Sequence, residues 1–326
     1  MKKVLFYALI ALTLFAITSC NKDDDVTTFI VSFDTEGGSE VSPQKVEKYK
    51  KAIKPDDPIK ENCIFQGWYN DDYEYDFSAP VASNITLKAR FLFVNGFFVS
   101  ETKQVCFATG NLQYHCKNKE WRFAPKQYDY IGYDNVNISD DYDGYIDLFG
   151  CGTGDNPTLV SQTNRDYVPF SEWGSKIDDA NIWRTLTKDE WYYLIYYRDN
   201  ASEKYGVAEV AGISGLILLP DAWKLPSGIS FNAGVTSKEA VEHFKSKNNY
   251  SADEWHIMES LGAVFLPAAG SRLETLVDGF DYYGTYWSSS ANDEGNAPGL
   301  DFRWYEVTLH NLSGCYGHSV RLVRDL

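Results

Sequence analysis

Residues 286–290 read Tyr286-Trp287-Ser288-Ser289-Ser290, and the chain closes on Ser319-Val320-Arg321-Leu322-Val323-Arg324. Between these two apolar anchors lies a polar stretch with one legible period. Leu300 and Phe302 alternate with Asp301 and Arg303, the pattern of a half-buried strand. Leu300 and Phe302 should point inward, Asp301 and Arg303 outward. After a turn near Trp304-Tyr305-Glu306, Val307 and Leu309 resume the inward pattern. From His310 to Tyr316 no period is left, so that segment reads as irregular. The stretch 291–318, between the two apolar anchors, is thus the better site candidate.

Working outward, residues 93–326 read as one unit of α+β class. Three Thr/Ser-x-x-Glu capping boxes announce helices, because the two side chains satisfy free backbone donors reciprocally. They are Thr187–Glu190, Thr236–Glu239 and Ser251–Glu254. The first puts Trp191, Leu194 and Ile195 on a core face, and the second Val241 and Phe244. The third puts Trp255, Met258 and Leu261 inward, with Gly262 as its stop. Apolar runs such as Leu216–Leu219 and Ala263–Leu266 read as strands. Gly/Asn/Asp-rich stretches, notably 132–182 and 268–284, read as connections.

The order of these segments resembles the C-type lectin-like fold. More narrowly it resembles the bacterial branch holding the major paralogous domains of surface proteins and the variable proteins diversified by retroelements. The resemblance rests on Gly110–Tyr114, Trp121–Ala124, Trp183–Thr187, Leu218–Trp223 and Gly262–Gly270, besides the two anchors quoted first. It implies that the 291–318 face binds a ligand while the scaffold stays fixed. Exposed aromatic and arginine side chains dominate interface energies. Arg303, Trp304, Tyr305 and Tyr316 are therefore the expected anchors. Asn292, Asp293, Asn296, Asp301, His310, Asn311 and Ser313 are the expected adaptable polar contacts, whereas Tyr286, Trp287, Arg321 and Arg324 are scaffold. Every residue from His310 to His318 belongs to the set that randomised adenines of an AAC codon encode; Trp304 does not. The alternative for 291–318 is a plain polar terminal hairpin.

Other chemistries find little footing. Formylglycine-generating enzymes share the broad fold, but their chemistry needs a close cysteine pair late in the domain. Only Cys315 lies there. No Gly-x-Ser-x-Gly elbow presents a serine nucleophile. The Glu-Pro-Asn, Gln-Pro-Asp and Trp-Asn-Asp tripeptides of calcium-dependent lectins are absent. The run Ser139–Gly144 offers hard oxygens but lacks a glutamate at the closing loop position, so it reads as an exposed acidic loop. His310 and His318 read as surface histidines. No catalytic residue, metal or cofactor is expected.

Residues 28–92 form a separate unit. It resembles the internalin B-type repeat, a small β-grasp-like module of bacterial surface proteins. The supporting residues are Phe33-Asp34, Gly37-Gly38-Ser39, Val41, Gln44, Val46, Pro55, Pro58, Phe65-Gln66-Gly67-Trp68-Tyr69, Tyr75-Asp76-Phe77, Pro80-Val81 and Thr86-Leu87. Tyr49-Lys50-Lys51 stands where a glycine turn is usual, and Asn62-Cys63 where Gly-Tyr is usual. The resemblance implies a spacer.

The N-terminus reads as an address. Met1-Lys2-Lys3 is a positive n-region, and Val4–Ile17 is an apolar run too short to span a bilayer of roughly 30 Å. Ile17-Thr18-Ser19-Cys20 resembles a bacterial lipobox, which makes 1–19 a signal peptide and Cys20 the lipidated residue. The alternative is an ordinary signal peptide. The acidic tether 20–27 contains Asn21-Lys22-Asp23-Asp24-Asp25, which resembles the signal that exports lipoproteins to the exposed face of the outer membrane. The expected anchor is therefore the lipid on Cys20. Five cysteines remain, an odd count. Cys106 and Cys116, in neighbouring candidate strands, are one pairing alternative; small buried thiols are the other.

Composition limits the partners. A net charge of −16 argues against nucleic acid and against a polybasic membrane surface, since both need positive charge. Apolar residues at 44% supply enough material for packed cores. The expected protein is a lipid-anchored outer-membrane surface protein whose head binds an extracellular protein or glycan without chemistry. The alternatives are a structural paralogous domain with no fixed ligand and, last, a formylglycine-generating-enzyme-like protein.

Overall fold

The computed structural model describes residues 26–60, 63–71, 73–93, 96–159, 170–177, 182–290 and 296–326. Cys20, Asn292 and Asp293 lie outside them. The chain divides into two compact units, one made of residues up to Pro58 with Gly67–Arg90, the other of Ile59–Gln66 with Phe91–Leu326.

The first unit is built on a mixed five-stranded sheet in the order Gln44–Glu47, Thr28–Asp34, Ile85–Phe93, Cys63–Asn70, Tyr73–Glu74. Thr28–Asp34 runs antiparallel to Gln44–Glu47 and parallel to Ile85–Phe93, with Val31 opposite Ile85. Val31, Val46, Trp68, Val81 and Leu87 are buried, and the Trp68 ring meets Phe33 edge-on at 4.8 Å. Tyr49, at the usual glycine turn, takes φ +67°, the left-handed conformation that favours glycine. The substitution keeps the turn and accepts its backbone strain.

The second unit is mainly β, which corrects the α+β expectation: among the described residues, strands make up 39% and helix 12%. Two of the three capping boxes do open helices. Thr187 and Glu190 cap Lys188–Tyr192, which widens into a π-helical turn over Tyr193–Tyr197. Ser251 and Glu254 cap Ala252–Ser260, with Trp255 and Met258 buried and Gly262 at φ +91° beyond its end. Leu261 does not point inward; it is exposed at the helix end. The Thr236–Glu239 box opens no α-helix. Turns there lead to a short 3₁₀ segment, His243–Ser246, with Phe244 buried and Val241 exposed. A capping box marks where a helix can start, whereas its length depends on an apolar face to bury.

The segment 268–284, read as a connection, is sheet. Ala269–Leu273, Leu276–Phe280 and Tyr283–Trp287 belong to a six-stranded sheet continued by Ala297–Arg303 and Glu306–Leu312, with Tyr316–Gly317 paired to Ala269–Leu273. Its glycines mark close approaches within strands rather than loops. A Cβ on Gly270, at φ +67°, would sit 2.1 Å from the Asp278 carbonyl oxygen. A second sheet, of four strands, orders Asn249–Tyr250, Tyr205–Val210, Ile213–Leu218 and Val264–Pro267. In another, the terminal strand Leu322–Asp325 lies between Arg184–Thr185 and Gln104–Phe107.

Arg321 ties these layers together. It is buried and donates to the carbonyls of Ala108, Gln127 and Phe265 and to Asn111 Oδ1. Tyr286 donates to the Pro267 carbonyl and accepts from Asn111 Nδ2. Trp287 donates to the Phe149 carbonyl. A charge so deeply buried persists only when nearly every donor is used. The two anchors of the sequence are thus the polar rivets of the core.

Candidate functional site

The alternation of Leu300 and Phe302 with Asp301 and Arg303 folds into a hairpin. Ala297–Arg303 pairs with Glu306–Leu312, and Arg303 faces Glu306 across the two-residue turn Trp304-Tyr305. Leu300, Phe302 and Leu309 are buried, Asp301 half-buried and Arg303 exposed. Pairing continues to Leu312, so the His310–Leu312 part of the segment read as irregular is strand. Its polar residues lie on an edge, where one side of the strand faces no further strand among the described residues. That edge is partly covered: the Tyr192 hydroxyl donates to the Leu309 carbonyl and the Tyr196 hydroxyl to the Val307 carbonyl.

An aromatic cluster surrounds the turn. The Trp304 ring stacks on His243 at 4.0 Å with an interplanar angle of 19°. It meets Tyr305 edge-on at 4.9 Å and Tyr282 at 6.2 Å. Its Nε1 donates to the Lys238 carbonyl, and its own carbonyl accepts from Thr236 N at 2.7 Å. Lys238 Nζ lies 5.0 Å from the Tyr305 ring centre, and the Arg303 guanidinium 5.4 Å from that of Tyr283. Trp304 and Tyr305 are half-buried, while Tyr282 is 55% exposed.

The structure therefore brings Arg303, Trp304 and Tyr305 together at the hairpin tip. Along the hairpin, His310 Nε2 lies 3.8 Å from Asp301 Oδ2. Burial raises the Asp301 pKa, against the pull of His310 and Arg303. Asn296, Asn311, Ser313 and Tyr316 sit toward the far end, about 20 Å away at the rise of an extended strand. There Ser313 Oγ contacts Cys315 Sγ at 3.1 Å, and the Tyr316 ring lies parallel to that of His318. The nine expected contacts among the described residues are thus spread along the hairpin and do not form one constellation. His243, Tyr282 and Lys238, absent from the expected set, belong to the tip. His243 follows the second capping box, and Tyr282 lies in a stretch read as a connection, so both signals were masked by the wrong element type.

His318 is a correction. Read as a surface histidine, it is buried, with Nδ1 against Thr285 Oγ1 at 2.5 Å and its ring against Trp287 at 4.6 Å. Burial pushes its pKa down to about 3. The described cysteines carry no disulfide. Cys106 accepts from Arg324 and Cys116 leans on the Asn137 carbonyl, so the pairing of these two is also corrected. Burial lifts the Cys116 thiol to about 11 and that of Cys151 to about 12. Among the described residues, no group of three His, Cys, Asp or Glu side chains is set to hold a metal, and no helix is long and apolar enough to cross a membrane.

Comparison with known proteins bears on the first unit. Residues 29–90 match the family model of the Listeria-Bacteroides repeat domain. Such repeats occur in surface and membrane-associated proteins. Two relatives from Evansella cellulosilytica are similar over 71 residues each, 21% of this chain. One is a "Putative Gly-rich membrane protein", 34% identical, and the other a "Putative membrane protein", 37% identical. The chain spans only 8% and 11% of their respective lengths.

Proposed function

We propose that this protein is a surface lipoprotein, held by lipid on Cys20 in the outer membrane, whose second unit recognises an extracellular protein or glycan without turnover or cofactor. The repeat domain supports the surface setting. The observation that carries the binding reading is the hairpin tip, where a two-residue turn presents Trp304 and Tyr305 beside the exposed Tyr282, with Lys238 and Arg303 flanking the rings. Rigid aromatic side chains on a strand-backed turn lose little entropy on contact. The resemblance of the 286–290 and 319–324 segments to C-type lectin-like and retroelement-diversified proteins supports the same face.

The competing reading is a structural paralogous domain without a fixed ligand. It is favoured by the bonds that tie Trp304 inward to Lys238 and Thr236. Two experiments separate and test these readings. Labelling cells with a lipid precursor should mark the wild type and not Cys20→Ser; equal labelling would refute the anchor. Screening the protein on arrays of glycans and of extracellular proteins should yield ligands whose signal falls in Tyr282→Ala. An empty screen would favour the structural reading.

A further inference from the structure

The geometry points to a second binding site in the same unit, independent of the hairpin tip: an apolar cleft that takes a small organic ammonium ion, its apolar body within and its charge at Glu259. The cleft encloses about 240 Å³, just below the range of drug-sized sites. At about 30 Å³ per water in the liquid, that is room for about eight non-hydrogen atoms. It opens beyond the end of the helix Ala252–Ser260, where Gly262 takes φ +91° and the chain turns into the strand Val264–Pro267. Small residues at this corner, Gly262 and Ala263, and Ala108 leave the space that Phe97, Phe107 and Val264 border. Phe97 and Phe107 meet edge to face with ring centres 5.1 Å apart, and both belong to the buried core, so that wall is fixed.

The inner polar groups are already used. Gln127 donates through Nε2 to the Ala263 carbonyl at 3.1 Å and accepts through Oε1 from Phe265 N at 2.7 Å. Arg321 lies behind the Ala108 and Gln127 backbone, buried, its guanidinium bonded to their carbonyls, to that of Phe265 and to Asn111. Neither is open to an anion. Glu259 differs. It lines the cleft and is half-buried, and no hydrogen bond or ion pair reaches its carboxylate among the described residues, exposed His256 one turn earlier included. Burial lowers the Arg321 pKa to about 10, and Tyr286 and Glu259 oppose the shift. The Glu259 carboxylate is thus within electrostatic reach of the core, yet makes no ion pair there.

An unpaired carboxylate beside an apolar space selects among ligands. A neutral hydrocarbon fills the space but strips water from Glu259 without pairing it. A carboxylate ligand meets a like charge. A bare ammonium ion leaves the apolar walls uncovered. An ammonium on a short apolar stem satisfies both features, and the faces of the phenylalanine rings add attraction for the cation. The net charge of −16 draws cations toward the protein as a whole.

Calorimetric titration of the whole protein with phenethylamine tests the assignment. Controls are phenethyl alcohol, which keeps the shape without the charge, hydrocinnamate, which reverses the charge, and ethylamine, which lacks the ring. The amine should saturate the protein at millimolar concentration. The alcohol should bind at least about tenfold more weakly, and hydrocinnamate and ethylamine not at all. Glu259→Gln should bring the amine down to the affinity of the alcohol and leave the alcohol unchanged. Thr109→Trp, at an exposed rim position, should block both. Failure of the amine to saturate would overturn the proposal, as would equal binding of the alcohol, hydrocinnamate or ethylamine, or an amine preference that persists in Glu259→Gln. The comparison of ligands on the wild type decides the matter even where a variant does not fold. The hairpin variants do not enter this test, so its result is separate from that for the tip.

Discussion

The indole of Trp304 lies flat on the imidazole of His243, ring centres 4.0 Å apart, at the tip of a hairpin whose partner strand begins only two residues later. The stack makes Trp304 both a surface feature and a packing element. It rests against the buried cluster of Phe302, Phe244 and Leu300 and is bonded inward at both its ring and its carbonyl. Its neighbour Tyr305, though also half-buried, is not among the residues packed against that cluster.

Stability should therefore separate the two residues. Truncating a fully buried aromatic costs about 3–5 kcal/mol, so half-buried Trp304→Ala should cost about 2 kcal/mol. Tyr305→Ala should stay within about 1 kcal/mol. Urea unfolding of the two variants measures the difference. Equal destabilisation would mean that the stack adds nothing to packing.

His318 should make the protein acid-sensitive. Its folded pKa is depressed from 6.5 to about 3 by burial. The stability it contributes is therefore present above pH 6.5 and is lost progressively as pH falls toward 3, up to about 5 kcal/mol. His318→Asn retains a polar atom toward Thr285 but cannot titrate. Its melting temperature should fall less steeply than that of the wild type between pH 6.5 and 4. Parallel profiles would contradict the burial argument.

Asp147 should act with the opposite sign. It is fully buried and accepts from Ile131 N at 2.9 Å and Asn135 Nδ2 at 2.8 Å. Burial still raises its pKa from 3.8 to about 6. Its stabilising contribution is complete below pH 3.8 and is lost as pH rises through 6, a change of about 3 kcal/mol. Asp147→Asn should be less stable by a constant offset for the disturbed hydrogen bonds. Relative to the wild type, though, its stability should gain from pH 4 to 6.5. A constant difference across that range would rule out titration of Asp147.

Much of the scaffold was legible because it follows local rules. The alternation at 300–303 gave a hairpin, and two capping boxes gave helices, since each signal involves neighbours in sequence. What was missed depends on distant contacts. Gly270 and Gly284 looked like loop residues. They are strand positions where Asp278, Phe280 and Phe302 press against the backbone. The second capping box, Thr236–Glu239, opened no α-helix, and Val241 there is exposed, with no surface to cover. Of the aromatic cluster at the hairpin tip, Arg303, Trp304 and Tyr305 were legible as neighbours in sequence. His243, Tyr282 and Lys238 reach Trp304 through folding across the sheet, and no spacing in the chain announces that meeting. The repeat domain was easier to read because its residues lie in one short, self-contained stretch.

The claim that the hairpin tip is the recognition face is most directly tested by affinity. A ligand recovered from the array should be titrated against the wild type and against Tyr282→Ala/Tyr305→Ala, with both proteins shown to melt alike. Loss of two aromatic contacts at the centre of an interface should weaken binding by at least about 30-fold. An unchanged dissociation constant would contradict the account.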